Sequence, residues 1–225
     1  MVGGYREDNV TKILHQIKNK TVHPQDTVEK IIKNPVLLSE ILAGIKADEA
    51  ALKYGCLKVL NLLSESKPIL LYPQFQLFVK LLDSPNNIIK WNMIVILANL
   101  VCIDKKDKFE NIRKRYFDLV KDKTMITASN VIRQAWKIAV AKPESADQVA
   151  NAILKVQQAR YEIKGSLSPE CRNVAIGHAV VSLGKFYPLI KRKKPVVTFI
   201  KIQRTNTRKP VVKLAESFLK KYQLE

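Results

Sequence analysis

Five segments of ten residues recur along this chain at nearly constant spacing. They begin at Tyr54, Trp91, Ser129, Arg172 and Lys209 and read YGCLKVLNLL, WNMIVILANL, SNVIRQAWKI, RNVAIGHAVV and KPVVKLAESF. Successive starts are 37, 38, 43 and 37 residues apart, and the third and fourth positions are apolar in every segment. A period of this length is typical of repeats of two helices, which bury their apolar faces only by stacking on neighbouring copies.

Helical periodicity extends over almost the whole chain. Apolar residues return at steps of three and four, Asp and Ser near several starts can cap helices, and Pro35 and Pro73 suit a first helical turn. The predicted helices span residues 9–19, 25–33, 35–46, 48–65, 73–83, 86–103, 108–121, 126–142, 144–162, 168–187, 195–206 and 208–223. No stretch has the pattern of a strand, and KGSLSPE is interpreted as a loop.

The sequence therefore predicts an all-α fold, a right-handed α-α superhelix, or solenoid, of about five to six helix pairs. Residues 1–8 are predicted to be a flexible tail, and residues 9–225 a single repeat domain. The third, fourth, seventh and tenth positions of each segment, called the core positions below, are predicted to be buried. His178 falls at a seventh position, where we expect a neutral, hydrogen-bonded buried side chain or a functional residue.

The stretch LLDSPNNIIKWNMIVILANL resembles a HEAT repeat, and the chain is also similar to the related armadillo proteins. Its first helix ends in Leu-Leu-Asp, an aliphatic residue and a base follow the turn, and leucines occupy later core positions. The residues that match this pattern are Leu81, Leu82, Asp83, Ile89, Lys90, Leu97 and Leu100. Leu52 and Lys53 repeat the pair of an aliphatic residue and a base one segment earlier. The resemblance covers residues 35–223, although the segments from Ser129 onward lack that pair. It implies that the second helix of each pair lines a concave face.

Positive charge is concentrated in the second half of the chain. The chain has 39 Lys and Arg against 20 Asp and Glu, a net charge of +19, and residues 113–225 account for +16 of it. A surplus confined to one half indicates a surface that faces a polyanion, and a lysine-rich composition is the alternative interpretation.

Bases and aromatic residues fall outside the core positions of the recurring segments. Bases neutralise phosphates and aromatic rings stack on nucleobases, so together they suit a groove that holds nucleic acid. The candidate anion-binding residues are Lys58, Arg133, Lys137, Arg172, Lys191, Arg192, Lys209 and Lys213, and the candidate stacking residues are Tyr54, Trp91 and Trp136. The tryptophans could instead fill wedges between repeats. The run KRKKP at residues 191–195 is a basic loop that suits phosphate contact and resembles a nuclear-import signal.

The second position of three segments is an asparagine: Asn92, Asn130 and Asn173. Such a column resembles the asparagine ladder by which armadillo repeats hold the backbone of an extended peptide. The same side chains could instead accept hydrogen bonds from amides at helix starts. The pattern favours neither alternative.

Chemical motifs are sparse. His15, His23 and His178 have no metal-ligand spacing, and no phosphate-binding loop occurs, so neither a metal nor a cofactor is expected.

Cys56, Cys102 and Cys171 form no paired framework and are expected to be buried thiols in a reducing compartment. We find neither a secretory leader nor a membrane-spanning stretch, so we expect a cytoplasmic protein, or a nuclear one in a eukaryote.

Three functions remain. The first is a non-enzymatic binding module whose basic concave face holds a polyanion, with DNA or RNA favoured. The second is a scaffold that binds a peptide or an acidic protein. The third follows from a weaker similarity to the HEAT-like alkylpurine DNA glycosylases, which carry tryptophan and an aspartate on the concave face. Here Val95 and Val140 follow Trp91 and Trp136 by four positions, while Asp104, Asp118 and Asp122 lie elsewhere.

Overall fold

The computed structural model describes residues 12–224, and almost all of them lie in helices or the turns between them. The helices are α1 (residues 12–18), α2 (Pro24–Lys33), α3 (Leu37–Gly44), α4 (Ala50–Ser66), α5 (Pro68–Leu71), α6 (Phe75–Leu81), α7 (Asn87–Leu100), α8 (Arg113–Asp118), α9 (Met125–Ala141), α10 (Ala146–Leu154), α11 (Pro169–Phe186), α12 (Lys193–Ile202) and α13 (Lys209–Tyr222). The prediction of an all-α fold is confirmed. The predicted tail and the start of the first predicted helix lie outside the described residues.

Helix starts follow from side chains that satisfy the first amides. The side-chain oxygen of Asn86 accepts hydrogen bonds from the backbone N–H groups of Ile88 and Ile89, at 3.0 and 3.2 Å, and α7 begins there. Ser168 caps α11 by accepting from the N–H of Cys171. Proline stands in the first turn of α2, α5, α11 and α13, where its missing N–H leaves no hydrogen bond unmade.

The prediction of helix over residues 144–162 is wrong at its end. Helix α10 ends at Leu154 and continues as a 3₁₀ turn to Gln158. The chain then forms a short antiparallel hairpin of β1 (Glu162–Ile163) and β2 (Ser166–Leu167), within the region interpreted as helix and loop. Lys164 and Gly165 both have positive φ, 51° and 81°, which is the backbone of a two-residue hairpin turn. The Lys-Gly pair was therefore an unrecognised turn signal.

The chain divides into two compact units, Met1–Ile103 and Asp104–Glu225. In the first unit, α4 packs between α2 and α7, and the shorter helices α3 and α5 also pack on α4. In the second unit, α11 packs between α9 and α13, while α10 contacts α9, α11 and α12. Each unit thus places its long second helices side by side and its short first helices behind them, as two-helix repeats do.

The second unit begins at a buried carboxylate. Asp104 is 5% exposed and accepts hydrogen bonds from the backbone N–H groups of Lys108 and Phe109, at 3.0 and 2.8 Å. The ammonium of Lys142 lies 3.8 Å from the same carboxylate and also pairs with Asp107. Asp104 therefore fixes the turn that leads into this unit to the end of α9.

The core positions are buried as predicted in the first three segments, but the fourth segment is shifted by one residue. Ala175, Ile176, Ala179 and Ser182 are buried there, whereas His178 is half-buried and Val181 is 44% exposed. Val174 is also only half-buried. The prediction of burial is therefore wrong for Val174, His178 and Val181. The true fourth segment begins at Asn173, because that register places its small and aliphatic side chains against the helices on both sides. In the fifth segment Val212 is only half-buried.

The cysteine prediction holds for two residues of three. Cys56 and Cys171 are buried, and burial raises the pKa of the Cys56 thiol to about 12. Cys102 is exposed, so its predicted burial is wrong. Its thiol donates to the carbonyl of Asn99 at 3.1 Å, just beyond the last turn of α7.

Gly55 should be required for the close approach of α1 and α4. A Cβ atom at this position would lie 2.4 Å from Cγ2 of Ile17, a buried side chain. Overpacking costs about 1–3 kcal/mol. At an approach this close we expect that cost to outweigh the roughly 1 kcal/mol that alanine gains over glycine in a helix. We therefore expect Gly55→Ala to lower the midpoint of urea unfolding, followed by circular dichroism.

Gly184→Ala is the matched control for that substitution. Its Cβ would lie 3.5 Å from Cδ2 of Phe218, which is ordinary contact, so the change should be neutral or stabilising. Equal effects of the two substitutions would contradict the close approach at Gly55.

Candidate binding cleft

Packing leaves α11 one exposed stripe in the second unit. The helix is buried against α9 on one side and α13 on the other. The side chains that remain at the surface at steps of three and four include His178, Val181 and Lys185. Because these residues project from one face, they form the floor and edge of a cleft rather than part of the core.

Helix α9 presents a matching stripe of Arg133, Trp136 and Lys137, all of which were predicted site residues. The ammonium of Lys185 lies 4.6 Å from the centre of the Trp136 ring, in cation–π contact. Trp136 is half-buried. The tryptophan therefore lines a surface formed by α9 and α11, and the lysine covers one of its faces.

Two adjoining cavities open along these helices. The first, called the α9–α11 cavity, has a volume of about 320 Å³ and is lined by Arg133, Gln134, Trp136, Lys137, His178, Val181, Ser182 and Lys185. The second, called the α11–α13 cleft, has a volume of about 630 Å³ and is lined by Trp136, Val180, Val181, Gly184, Lys185, Pro188, Leu214, Ser217, Phe218, Lys221 and Tyr222. None of these lining residues is acidic. The pair of cavities therefore forms a positively charged site with an apolar floor.

Burial and the neighbouring guanidinium of Arg133 both lower the pKa of His178 below its ordinary value of 6.5. At neutral pH its imidazole is therefore uncharged, and it can donate or accept a hydrogen bond. The bases Arg133, Lys137 and Lys185 supply the positive charge of the α9–α11 cavity.

The remaining predicted bases do not join this site. Arg172 lines a different cavity beside the hairpin, together with Arg160. Lys209 and Lys213 are exposed on α13 and line neither cavity described above. The predicted bases of the second unit are therefore spread over several of its surfaces.

The backbone of the basic loop before α12 is hydrogen-bonded to α10. The backbone N–H groups of Lys191 and Arg192 donate to one carboxylate oxygen of Asp147, at 2.9 and 3.0 Å. This contact holds the loop against the start of α10, while both basic side chains remain exposed.

The first unit holds the other predicted aromatic residues and Lys58. Tyr54 and Lys58 line a cleft of about 690 Å³ between α4 and the turn from α1 to α2. The hydroxyl of Tyr54 accepts a hydrogen bond from the side chain of Asn86 at 3.2 Å. Trp91 is half-buried at the start of α7. Tyr54 and Trp91 thus belong to the first unit, whereas Trp136 belongs to the second.

The three asparagines of the predicted column make hydrogen bonds within the chain. The side-chain NH₂ groups of Asn92 and Asn130 donate to the carbonyls of Ile88 and Ile126, four residues earlier in their own helices. The oxygen of Asn92 accepts from Asn61. Asn173 belongs to a different position in the shifted register and bonds to Thr207 and Asn206.

The carboxylates considered for a glycosylase have local structural roles. Asp104 is buried in the turn described above, Asp118 pairs with Lys114 at 2.6 Å, and Asp122 accepts from the N–H of Thr124 at 2.8 Å. None of the three lines the cavity or the cleft beside Trp136. Among residues 12–224, no cluster of three or more potential metal ligands occurs, and no helix is long and apolar enough to cross a membrane.

Lys185 and Lys221 line the α11–α13 cleft, and the comparison of the five segments did not predict either of them. Both stand at the thirteenth position of their segments once the fourth is counted from Asn173, beyond the ten positions compared. A longer comparison in the correct register would have revealed this shared lysine. Ser182 gives no comparable signal, because a buried position in a helix predicts core rather than site. Gln134 is half-buried, and nothing in the sequence distinguishes it from other polar residues on the surface of a helix.

Comparison with known proteins identifies the fold alone. No family model and no curated protein matches the sequence. A designed armadillo repeat protein is 14% identical with a TM-score of 0.59 over 92% of this chain and 90% of its own. A second designed armadillo repeat protein, solved in complex with the peptide (KR)4, is 12% identical with a TM-score of 0.57 over 97% and 95%.

An engineered protein is 13% identical with a TM-score of 0.56 over 93% of this chain and 87% of its own. These likenesses confirm the predicted armadillo/HEAT-like helical-repeat fold. None of the three is described as a glycosylase.

Removing the charge of Arg133 should raise the pKa of His178 toward 6.5, because that charge is one of the two causes that lower it. Burial is unchanged in Arg133→Gln, so the pKa should stay below its ordinary value. The measurement is an NMR titration of the His178 imidazole. Arg192→Gln removes an equal charge from the loop before α12 and should leave His178 unaffected. A shift of the same size in both variants would show that Arg133 does not act on His178 directly.

Proposed function

We propose that the chain is a non-enzymatic binding module that holds an acidic linear segment of a partner protein in the basic cleft of its second unit. The observation that carries this proposal is the combination of basic side chains with an apolar floor, in cavities whose lining residues include no carboxylate. Clefts that bind ligands combine apolar contact with a few placed polar groups.

The floor of the α11–α13 cleft favours a peptide with an apolar anchor. Val180, Leu214 and Phe218 line it, and the ring of Phe218 packs edge-on against Tyr187 at 5.0 Å. Lys185 and Lys221 line the same cleft. An aliphatic or aromatic side chain would bury its surface on the floor, while neighbouring carboxylates would meet the lysines.

The positive charge of the cleft favours a partner segment with negative charge. One structural neighbour was solved with the basic peptide (KR)4. A cleft that carries only positive charge would repel such a peptide and attract one rich in Asp and Glu, because like charges placed opposite each other oppose binding. A shared fold is therefore compatible with partners of opposite charge.

Nucleic acid is the second candidate, and the stripe of Arg133, Trp136 and Lys137 favours it. Basic side chains next to a half-buried ring would hold phosphates and a stacked nucleobase. However, the ammonium of Lys185 covers one face of Trp136, so stacking on that face would have to displace it. This arrangement supports the peptide over the nucleic acid.

Placing a negative charge in the middle of the cleft should abolish the binding of an acidic peptide. Val181 is 44% exposed and lines both cavities, so Val181→Glu should fold and should repel the partner. We expect the affinity for a fluorescent Glu-rich peptide with one Leu anchor to fall about tenfold or more at low salt. The measurement is fluorescence anisotropy at low and near-physiological salt.

Val140→Glu is the matched control, since Val140 is 48% exposed on α9 and lines neither cavity. It makes the same change in net charge and should reduce binding only slightly. Equal losses in both variants would show that the peptide responds to overall charge and not to the cleft. Single-stranded and double-stranded DNA and RNA are titrated in parallel. One of them binding more tightly than the peptide at near-physiological salt would assign the cleft to nucleic acid.

A further inference from the structure

Two buried polar atoms in the α9–α11 cavity have no hydrogen-bond partner among the described residues. They are the side-chain oxygen of Gln134 and the hydroxyl of Ser182, and both residues line the cavity. Ser182 is only 2% exposed. A buried polar group without a hydrogen-bond partner is unfavourable, so two such groups beside one cavity indicate a ligand that supplies the missing hydrogen bonds.

The charges around these atoms define the ligand as an anion. Arg133 and Lys137 reach the cavity from α9 and Lys185 reaches it from α11, with no carboxylate among the lining residues. Binding an anion here would offset the repulsion among three cations. It would also give the Ser182 hydroxyl an acceptor.

We propose that the α9–α11 cavity binds a phosphomonoester carried on the acidic segment, that is, a phosphorylated serine or threonine. The inference rests on the proposed function and names the residue that the partner segment presents. A phosphomonoester carries about −1.5 to −2 charges at neutral pH and three strong acceptor oxygens, which matches three cations and a hydroxyl donor. A carboxylate brings one charge and two oxygens.

The donors of the cavity suit a terminal phosphate. Arg133 can hold two phosphate oxygens with its planar fork, while Lys137 and Lys185 act as point charges. A half-turn of the Gln134 carboxamide exchanges its oxygen for its NH₂ group, which would then donate to the anion. A phosphodiester inside a nucleic acid has one charge and a chain on both sides, so it fits a cavity between two packed helices less well.

His178 reports directly on this cavity, which it helps to line. O-phosphoserine added to the protein should shift the His178 imidazole signals in NMR spectra and raise its pKa, because the anion stabilises the protonated ring. Serine at the same concentration and ionic strength should not. His15 and His23, in the first unit, serve as internal controls. No response of His178 to O-phosphoserine would overturn the proposed subsite.

A matched pair of peptides tests the subsite in its proposed context. The Glu-rich peptide is prepared with one serine and with the same serine phosphorylated. We expect phosphorylation to tighten binding about tenfold, as one added charge-assisted hydrogen bond would. Ser182→Ala should remove most of that gain, measured as the ratio of the two peptide affinities within the variant. The variant should fold, because it removes a buried hydroxyl that has no partner.

Ser217→Ala is the control, because Ser217 lines the α11–α13 cleft and not the α9–α11 cavity. This variant should keep the gain in affinity from phosphorylation. Equal affinity of the two peptides would overturn the phosphate subsite, and the proposed function would stand if Val181→Glu still weakened both. A His178 response without binding of either peptide would support the subsite and refute the proposed function. Tighter binding of a 5′-phosphorylated oligonucleotide than of the phosphopeptide would overturn the assignment to a protein segment.

Discussion

The packing of α11 on both of its sides determines what the second unit can bind. Its buried residues contact α9 and α13, and a Cβ at Gly177 would make an ordinary van der Waals contact with Val211, 3.4 Å away. A helix held in this way can rotate only by exposing apolar surface on one side and burying charge on the other. The stripe of His178, Val181 and Lys185 is therefore fixed in place, and with it the chemistry of the cleft.

The recurrence of apolar segments was enough to predict the fold. Each helix pair buries its apolar face only against neighbouring pairs, so the same apolar pattern returns once in every repeat. That recurrence was not enough to predict the register of the fourth segment. The run VAIGHAVV is apolar on nearly every side, so periodicity alone allows two registers that differ by one residue. The contacts of Ala175, Ile176 and Ala179 decide between them, and they depend on neighbouring helices that no local pattern describes.

The site was predicted in part for the same reason. Arg133, Trp136 and Lys137 come together because all three lie on one face of α9, which helical spacing reveals. Arg172 was assigned to the groove through the wrong register and lines another cavity. Ser182 could not be predicted from the sequence. Its hydroxyl is buried without a hydrogen-bond partner only because of how the helices pack, and no sequence pattern indicates that.

A surface that faces a polyanion and a merely lysine-rich composition predict different positions for the acidic residues of the second half of the chain. A lysine-rich composition would scatter carboxylates evenly among the bases. Instead, Glu170 pairs with Arg208, Asp118 pairs with Lys114, and Asp147 holds the loop before α12. Each neutralises charge locally, since screening confines such effects to about 8–10 Å at cellular salt. The cavity and the cleft contain none of these carboxylates, so their positive potential reflects where the acids lie and not only how many bases the chain has.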